Sequence, residues 1–247
     1  MSSERDDGAG PVKHIFRSIT HRYDLLNHIL SLGRDVAWRK AAVGRMRFFQ
    51  TNRLVDVATG TADLAIAAAR HYPLITVAGV DFAPEMMQRG ERKIRAYQLE
   101  RRIRLLKGDA LTLPFHAESF DVAAMAFGIR NISDRIAALR ELRRVVVPGG
   151  QVMILEMTLP RKAWLRSGYR FYLHSVLPRV AGSLSGNFKA YEYLAISIET
   201  FPDPSAFAFM MEQSGLTDVQ CVSLTGGITV LHIGTKEEGP ARYVSGA

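Results

Sequence analysis

The chain has 247 residues, of which 47% are apolar and 23% charged, and its formal net charge is +8. This composition excludes an intrinsically disordered chain, and the single cysteine, Cys221, excludes an intramolecular disulfide framework. The basic charge leaves three explanations open: nucleic-acid binding, contact with an anionic membrane surface, or a basic protein with neither partner.

The amino-terminal residues and the cysteine content indicate the compartment. The first eight residues are polar and contain no signal-peptide core. No apolar run reaches the roughly 18 residues that a transmembrane helix needs. A single cysteine is typical of a reducing compartment. We therefore expect a cytoplasmic protein, in which any membrane contact is peripheral and at the inner face of the cell membrane.

Residues 12–49 show helical periodicity that is interrupted at Gly33. Because these helices precede the first strand, residues 1–50 are predicted to form a helical lid. His14, His21 and His28 recur every seven residues on one helix face. Successive members are about 10 Å apart, too far to bind one metal together, so no metal site is predicted.

From residue 51 the chain alternates between strand and helix patterns, which is typical of an α/β protein. Strands are predicted at 54–57, 75–80, 103–107, 120–127, 151–157, 219–224 and 228–235. Helices are predicted at 62–71, 84–97, 133–147 and 204–214. Thr225, Gly226 and Gly227 predict a hairpin between the last two strands. The expected architecture is a Rossmann-like, mostly parallel seven-stranded sheet over 51–236 with an antiparallel C-terminal hairpin, followed by a tail at 237–247.

The most informative stretch runs from Arg53 to Ala65, where an apolar strand is followed by a small-residue turn around Gly60 and an alanine-rich helix. Such a turn brings bare backbone N–H groups and a helix N-terminus up to a ligand. The next strand ends in Asp81. In a parallel sheet its carboxylate would lie beside the same crevice, where it can accept both hydroxyls of a ribose. This indicates an adenosine-containing cofactor.

The composition of the turn favours one such cofactor. A dinucleotide fingerprint requires G-x-G-x-x-G, whereas the corresponding residues here are Gly60, Ala62 and Ala65, and no P-loop lysine follows. S-adenosylmethionine has no phosphate to accommodate and tolerates a turn with one essential glycine. We therefore favour this methyl donor over NAD. An NAD-dependent oxidoreductase is the alternative, and a ligand-free turn would leave Asp81 unexplained.

The segment 158–200, which follows the fifth strand, has an unusual charge pattern. Between Glu156 and Glu192 it contains no acidic residue. The basic and aromatic residues there are Arg161, Lys162, Trp164, Arg166, Tyr169, Arg170, Phe171, Tyr172, Arg179, Phe188, Lys189 and Tyr191. This composition predicts a cap that contacts an anionic membrane surface and an apolar substrate. Stacking on single-stranded nucleic acid and an ordinary basic surface are the alternatives.

Several motifs together resemble the ubiquinone/menaquinone biosynthesis C-methyltransferases, a family of class I S-adenosylmethionine-dependent enzymes. They run from about residue 12 to 236 and include 16–27, Gly60-Thr61-Ala62-Asp63, Leu113-Pro114-Phe115, Phe127-Gly128-Ile129-Arg130-Asn131, Pro148-Gly149-Gly150, 191–198 and 225–228. The Phe-Gly-Ile-Arg-Asn segment and residues 191–198 are narrower signals than Leu-Pro-Phe or Pro-Gly-Gly, which occur widely among class I methyltransferases.

The resemblance implies methyl transfer to a ring carbon of a prenylated quinol, with demethylmenaquinol favoured. The benzoquinol precursor of ubiquinone and another small apolar acceptor are the alternatives. It also implies cofactor contacts at Gly60 and Thr61 in the turn, at Asp81 near the ribose, and at Asp109 and Ala110 near the adenine. The chain departs from the family at Ala62, where a second glycine is usual, and at Ala126, where a serine is common. We expect Ala62 to be tolerated if its backbone is not in a conformation reserved for glycine.

The chemistry requires a ring carbon made nucleophilic by loss of a proton from the quinol hydroxyl. Arg130 stays protonated, so it would stabilise the phenolate or orient a water, and Asn131 would hydrogen-bond a quinol oxygen. Alternatively, both residues only cap the next helix. Tyr23 is predicted either to close over the site or to pack in the lid. His174, within the cap, is a candidate base or a structural histidine.

The remaining alternatives belong to other classes. Amino-directed nucleic-acid methyltransferases carry Asn/Asp-Pro-Pro-Tyr/Phe after the fourth strand, where this chain has Phe127 to Arg130. A cytosine-C5 enzyme needs a nucleophilic cysteine, and Cys221 lies in a predicted C-terminal strand. We therefore expect no nucleic-acid partner. A non-enzymatic cofactor-binding or membrane-adaptor protein would bind the donor without transferring its methyl group. The sequence leaves the oligomeric state open, a homo-oligomer included.

Overall fold

The computed structural model describes residues 31, 33–179 and 188–238. The strands are β1 (Arg53–Val57), β2 (Thr76–Asp81), β3 (Ile103–Lys107), β4 (Phe120–Ala126), β5 (Val146–Met157), β6 (Leu216–Leu224) and β7 (Thr229–Lys236). The helices are α1 (Asp35–Val43), α2 (Asp63–His71), α3 (Pro84–Ala96), α4 (Arg135–Val145), α5 (Ala163–Phe171), α6 (Phe188–Glu199) and α7 (Pro204–Gln213). Short 3₁₀ turns lie at Ile129–Asn131 and Thr225–Gly227, and α5 continues into a π-helical segment, Tyr172–Val176.

The seven strands form one sheet in the order β3-β2-β1-β4-β5-β7-β6. All neighbouring pairs are parallel except those of β7, which runs antiparallel to both β5 and β6. The predicted seven-stranded sheet with an antiparallel C-terminal hairpin is thus confirmed. The strands β2 and β3 lie on one side of β1, and β4 and β5 lie on the other, so the order of the strands reverses at β1. A ligand crevice is expected at such a reversal, outside the carboxyl ends of the strands.

The central strands are buried on both faces, which explains their continuous apolar runs. Residues Leu54 to Val57 of β1 are all buried, and their side chains alternate between two packed layers. Leu54 packs with α1, α2 and the segment after β5, whereas Val55 packs with α4 and α7. The sheet is therefore covered by helices on both sides, and its carboxyl edge is positioned by two separate cores.

The predicted boundary between α4 and β5 was wrong. The helix ends at Val145 instead of Val147, and β5 begins at Val146, before the Pro-Gly-Gly sequence that was expected to separate them. The register between β4 and β5 shifts there, so that Phe120 pairs with Val146 and Val122 with Gln151. Pro148 to Gly150 form this irregularity inside the strand, and Gly149 has a φ of 77°. Glycine supplies the left-handed backbone that a bulge requires.

The loop that leads into β1 is held by a carboxylate of the neighbouring strand. Asp121, which is fully buried at the start of β4, accepts hydrogen bonds from the backbone N–H groups of Gln50, Thr51 and Asn52 at 2.7–3.1 Å. This contact fixes where β1 enters the sheet.

Among the residues that the structure describes, no helix is long and apolar enough to cross a membrane.

Candidate active site at the carboxyl edge of the sheet

The turn after β1 is built from small residues with left-handed backbone. Ala58, Gly60 and Ala62 have φ values of 54°, 55° and 65°. Ala62 is therefore in the conformation that glycine adopts without steric cost, and the condition under which we expected its methyl group to be tolerated is not met. Its side chain is fully buried, so the methyl group gains packing that offsets part of the backbone strain.

Two buried carboxylates hold the turn in place. Asp56 Oδ2 accepts hydrogen bonds from Thr59 Oγ1 at 2.6 Å and from the Ala65 N–H at 3.2 Å. Asp81 accepts from the Gly60 N–H at 2.8 Å and from the Ala83 N–H at 2.9 Å. The structure therefore joins the two predicted positions, Gly60 and Asp81, directly. These hydrogen bonds, all of them within the chain, fix the backbone around the crevice.

Burial dominates the electrostatics of both carboxylates. It raises the pKa of Asp56 from 3.8 to about 7, against the lowering effects of the Thr59 hydroxyl, the Ala65 N–H and the charge of Arg39. Burial also raises the pKa of Asp81, although the N–H groups of Ala83 and Gly60 lower it in part. A carboxyl group at the floor of the crevice thus titrates near neutral pH.

The crevice has a volume of about 350 Å³, part of which is open to solvent. It is lined by Arg39, Asp56, Ala58, Thr59, Gly60, Thr61, Asp63, Leu64, Ala126 and Phe127. Two of the predicted cofactor residues, Gly60 and Thr61, are among them. Thr61 is buried, and its hydroxyl accepts a hydrogen bond from Lys93 Nζ at 3.1 Å.

Helix α1 supplies a cation to the crevice that was not predicted. The guanidinium of Arg39 lies 2.6 Å from Asp35 and 3.7 Å from Asp63, and it stacks over the Phe127 ring at 5.6 Å. Asp63 is also ion-paired with Lys93. The α1 helix is in turn held by a hydrogen bond of 2.8 Å from Trp38 Nε1 to the Thr225 hydroxyl. No local signal distinguishes Arg39 from the other arginines of this region, because only the tertiary contact selects it.

Asp109 and Ala110 follow β3, one strand further from β1. Lys107, the last residue of β3, pairs with Asp81, and the Gly108 N–H donates to the Asp81 carbonyl at 3.0 Å. Asp109 is exposed, and its carboxylate accepts from the Leu111 N–H at 2.9 Å. Both predicted adenine-side residues therefore lie at the same edge of the sheet as Asp81.

Arg130 and Asn131 lie in the 3₁₀ turn after β4, and the structure gives Arg130 a partner that was not predicted. Its Nη1 lies 2.6 Å from Glu156 Oε1 and donates to the Phe127 carbonyl at 2.8 Å. The side chains of Arg130 and Glu156 are 6% and 0% exposed, so the pair is withdrawn from water. Asn131 Oδ1 accepts from the Tyr193 hydroxyl of α6 at 3.1 Å. The next helix, α4, is capped by the Asp134 side chain instead of by either residue.

Two other predictions have different outcomes. Tyr23 lies outside the described residues, as do His14, His21 and His28. His174 is half-exposed on the π-helical segment, with its Nε2 at 3.2 Å from Glu199 Oε2. Arg170 reaches the same carboxylate group at 3.0 Å. His174 therefore belongs to a surface cluster with Glu199 and Arg170. Glu156, by contrast, could have been noticed in the sequence as the only carboxylate in the apolar run 151–157.

These features define the class of protein. The strand order, the helices on both faces and the crevice beside β1 are those of a class I methyltransferase fold. An O-methyltransferase family protein from Burkholderia thailandensis superposes with a TM-score of 0.61 at 19% identity, over 89% of this chain and 60% of that one. Phosphoethanolamine N-methyltransferase 2 from Haemonchus contortus, solved with S-adenosyl-L-methionine, superposes with a TM-score of 0.60 at 15% identity, over 81% and 52%. At these identities the likeness shows the fold alone.

Sequence comparison narrows the class to a family. The model of the ubiE/COQ5 methyltransferase family matches residues 2–236. The demethylmenaquinone methyltransferase of Thermus thermophilus is 44% identical over 90% of this chain and 100% of its own length. The ubiquinone/menaquinone biosynthesis C-methyltransferase UbiE of Geobacter sp. is 42% identical over 91% of this chain and 96% of its own length. The chain belongs to the ubiE/COQ5 methyltransferase family, so the predicted resemblance is confirmed.

Proposed function

We propose that this protein transfers a methyl group from S-adenosylmethionine to a ring carbon of a prenylated quinol, with demethylmenaquinol as the principal acceptor. The observation that carries the proposal is the preformed crevice, with Gly60 bonded to Asp81, in a chain of the ubiE/COQ5 family. The names of its relatives support an acceptor from quinone biosynthesis, and they include both menaquinone and ubiquinone. The benzoquinol precursor of ubiquinone is therefore the second candidate acceptor.

The residues around the crevice suit the chemical groups of the donor. The Asp81 carboxylate accepts backbone N–H groups of Gly60, Ala83 and Phe82, and its remaining acceptor capacity would serve the ribose. The guanidinium of Arg39 is already paired with Asp35 and Asp63, so only its remaining N–H groups would be available to the carboxylate of the donor. Asp109 and Ala110 would flank the adenine, and the turn at Gly60 and Thr61 would lie along the body of the donor. When bound, the donor supplies an electrophilic methyl group.

The protein's own part in the reaction is to create and hold the nucleophile. Loss of the proton from the quinol hydroxyl moves electron density into the ring, and the charge of Arg130 would stabilise the resulting phenolate. Glu156 would position Arg130 by its ion pair. Asn131, held by Tyr193, would hydrogen-bond a quinol oxygen and align the ring. Tyr23 remains a candidate for closing the site from the amino-terminal side.

The cap, residues 158–200, would be the surface that meets the membrane. Trp164 and Phe171 are 74% and 65% exposed and stand seven residues apart on α5, on the same helix face. The exposed basic residues around them are Arg161, Lys162, Arg166, Arg170 and Arg179. An aromatic face with a basic border suits the interface of an anionic bilayer, where a prenylated substrate resides.

The decisive experiment follows a labelled methyl group. Purified protein is incubated with S-adenosylmethionine labelled at the methyl group and with reduced demethylmenaquinone or the reduced benzoquinone precursor in detergent micelles. Label on a ring carbon of demethylmenaquinone is the expected result. Label only on the benzoquinone precursor would make that compound the principal acceptor. Bound donor with no transfer to either quinol would overturn the proposal.

A separate experiment tests the membrane contact. Co-sedimentation with vesicles that contain phosphatidylglycerol should exceed co-sedimentation with vesicles of phosphatidylcholine alone, and salt should reduce it. Equal binding to both kinds of vesicle would remove the anionic surface from the proposal.

A further inference from the structure

The cap contains a buried phenol whose hydroxyl the described residues do not satisfy. Tyr169, on the inner face of α5, is only 6% exposed. Within the described part of the chain, its hydroxyl has no hydrogen-bond partner. Native proteins seldom leave a buried donor unpaired, because it has lost its bonds to water without replacement. Such a group calls for an explanation.

The surroundings of Tyr169 connect it with the proposed acceptor side. Tyr169 lies in the same buried cluster as Met157, the residue after Glu156. Phe127, whose carbonyl accepts a hydrogen bond from Arg130, packs against that cluster. The charges of Arg130 and Glu156 accordingly act on the pKa of the Tyr169 hydroxyl. The ring of Tyr172 lies beside it nearly parallel, with centroids 6.3 Å apart and an interplanar angle of 14°. Helix α6 brings Tyr193 to Asn131 in the same region. Aromatic rings and polar groups of the cap thus lie near the turn that carries Arg130 and Asn131.

The protonation state of Tyr169 suits a donor. Burial is the largest cause that raises the pKa of its hydroxyl. The group therefore keeps its proton at neutral pH and can donate a hydrogen bond to a partner that accepts. An aromatic ring that carries oxygens presents such an acceptor together with a flat apolar surface.

We propose that Tyr169 is a substrate-contacting residue, whose hydroxyl donates a hydrogen bond to the acceptor-ring oxygen that loses its proton during methyl transfer. The inference rests on the proposed function and adds to it a second group, besides Arg130, that acts on the developing phenolate. As negative charge grows on that oxygen, a hydrogen bond to it strengthens. The contribution of Tyr169 is therefore larger in the transition state than in the bound ground state.

The test is the substitution Tyr169→Phe in the full chain. It removes the hydroxyl and keeps the ring, so the variant should be as stable as the wild type or more stable. With reduced demethylmenaquinone in micelles, kcat should fall at least tenfold, with a smaller change in KM. The dissociation constant of S-adenosylmethionine, measured by calorimetry, should stay within twofold of the wild-type value.

Tyr72→Phe is the matched control. The Tyr72 hydroxyl donates to the carbonyl oxygens of Val43 and Met46, at 3.0 and 2.9 Å, in the contact between the end of α1 and the end of α2. Its loss should lower the melting temperature and leave kcat unchanged, which is the opposite pattern.

The outcomes separate the two proposals. An unchanged kcat in Tyr169→Phe overturns the inference, whatever the stability of the variant. A less stable variant would indicate that the hydroxyl bonds to an internal water. If the variant is less stable, the inference stands only when kcat is still tenfold lower at a temperature where the variant is fully folded. A wild-type protein that binds the donor but methylates no quinol refutes the proposed function itself, independently of any variant.

Discussion

The crevice beside β1 and the cap differ in how their polar groups are satisfied. Around the crevice, Asp56 and Asp81 bind backbone N–H groups of their own chain, and Arg39 lies between two carboxylates. In the cap, the Tyr169 hydroxyl lacks a partner among the described residues, and Trp164 and Phe171 face solvent. A preorganised crevice suits a small soluble donor that is bound in one geometry. A cap with unused polar and apolar groups suits a substrate, and a membrane, that complete it.

The largest effect is expected at the junction of the two regions, from Arg130. The substitution Arg130→Ala leaves the Glu156 charge buried without its cation, which should cost about 3–5 kcal/mol of stability. We therefore compare the wild type with the double variant Arg130→Met, Glu156→Leu, which replaces the ion pair by apolar side chains. Turnover in the double variant should be about a hundred- to a thousandfold lower, while donor binding is retained.

Calorimetry, thermal unfolding and the quinol assay on the same preparations test this. A double variant that is stable and turns over normally would show that Arg130 supports the fold and takes no part in the chemistry. Loss of donor binding would show that Arg130 supports the crevice rather than the acceptor side of the site.

The pH dependence of stability tests the electrostatics of the crevice. Folded Asp56 holds its proton up to about pH 7, whereas the unfolded chain releases it near 3.8. Between these values the folded state binds more protons, so the free energy of unfolding falls as the pH rises from 4 to 7. Asp56→Asn should abolish this contribution, on the order of 3 kcal/mol. The charge of Asp81 is the smallest of the influences on the pKa of Asp56, so most of the contribution of Asp81 itself cancels in the difference.

Urea unfolding of the wild type and of Asp56→Asn at pH 5 and pH 8 measures the difference. The wild type should lose more stability than the variant on going to pH 8. Parallel losses would mean that the Asp56 carboxyl is hydrated, and that the crevice is less preorganised than its hydrogen bonds indicate.

The substitution Asp81→Ala tests whether the preorganised crevice binds the donor. Asp81→Ala removes the acceptor of the Gly60 and Ala83 N–H groups together with the proposed ribose contacts. The dissociation constant of S-adenosylmethionine should rise about a hundredfold, as expected for loss of two hydrogen bonds to a charged group. The control is Asp134→Ala, which removes the cap of α4 at a cost of about 1 kcal/mol and should leave donor binding unchanged. An unchanged dissociation constant in Asp81→Ala would locate the donor elsewhere.

The smallest effect concerns the strained turn. Ala62→Gly deletes a fully buried methyl group but relieves a backbone with φ of 65°, so stability should change by less than about 1 kcal/mol. Ala65→Gly deletes an equally buried methyl group from inside α2, where no strain is relieved, and should cost about 1–2 kcal/mol. Equal losses in the two variants would mean that the left-handed backbone at Ala62 carries no strain.

The sequence alone was sufficient for the sheet and for placing Gly60 and Asp81 at the same edge of it. Strands that are buried on both faces read as continuous apolar runs, and a turn of small residues followed by a helix is a local pattern. The end of the next strand, at Asp81, lies at the same sheet edge in any parallel arrangement. The position of Asp81 beside the turn around Gly60 could therefore be deduced without coordinates, whereas the hydrogen bond between them could not. The start of β5 could not, because Pro-Gly-Gly is a helix stop locally and becomes a bulge only through pairing with β4.

Only the tertiary structure decided the remaining features, because each depends on groups that are distant along the chain. Arg39 is one of several arginines near the amino terminus until α1 packs against the crevice. Arg130 has a buried partner only because β5 brings Glu156 beside the turn after β4. The backbone of Ala62 and the unsatisfied hydroxyl of Tyr169 are likewise invisible in a pattern of residue types. Local periodicity determines which elements form, whereas burial and charge pairing across the sheet determine which side chains act together.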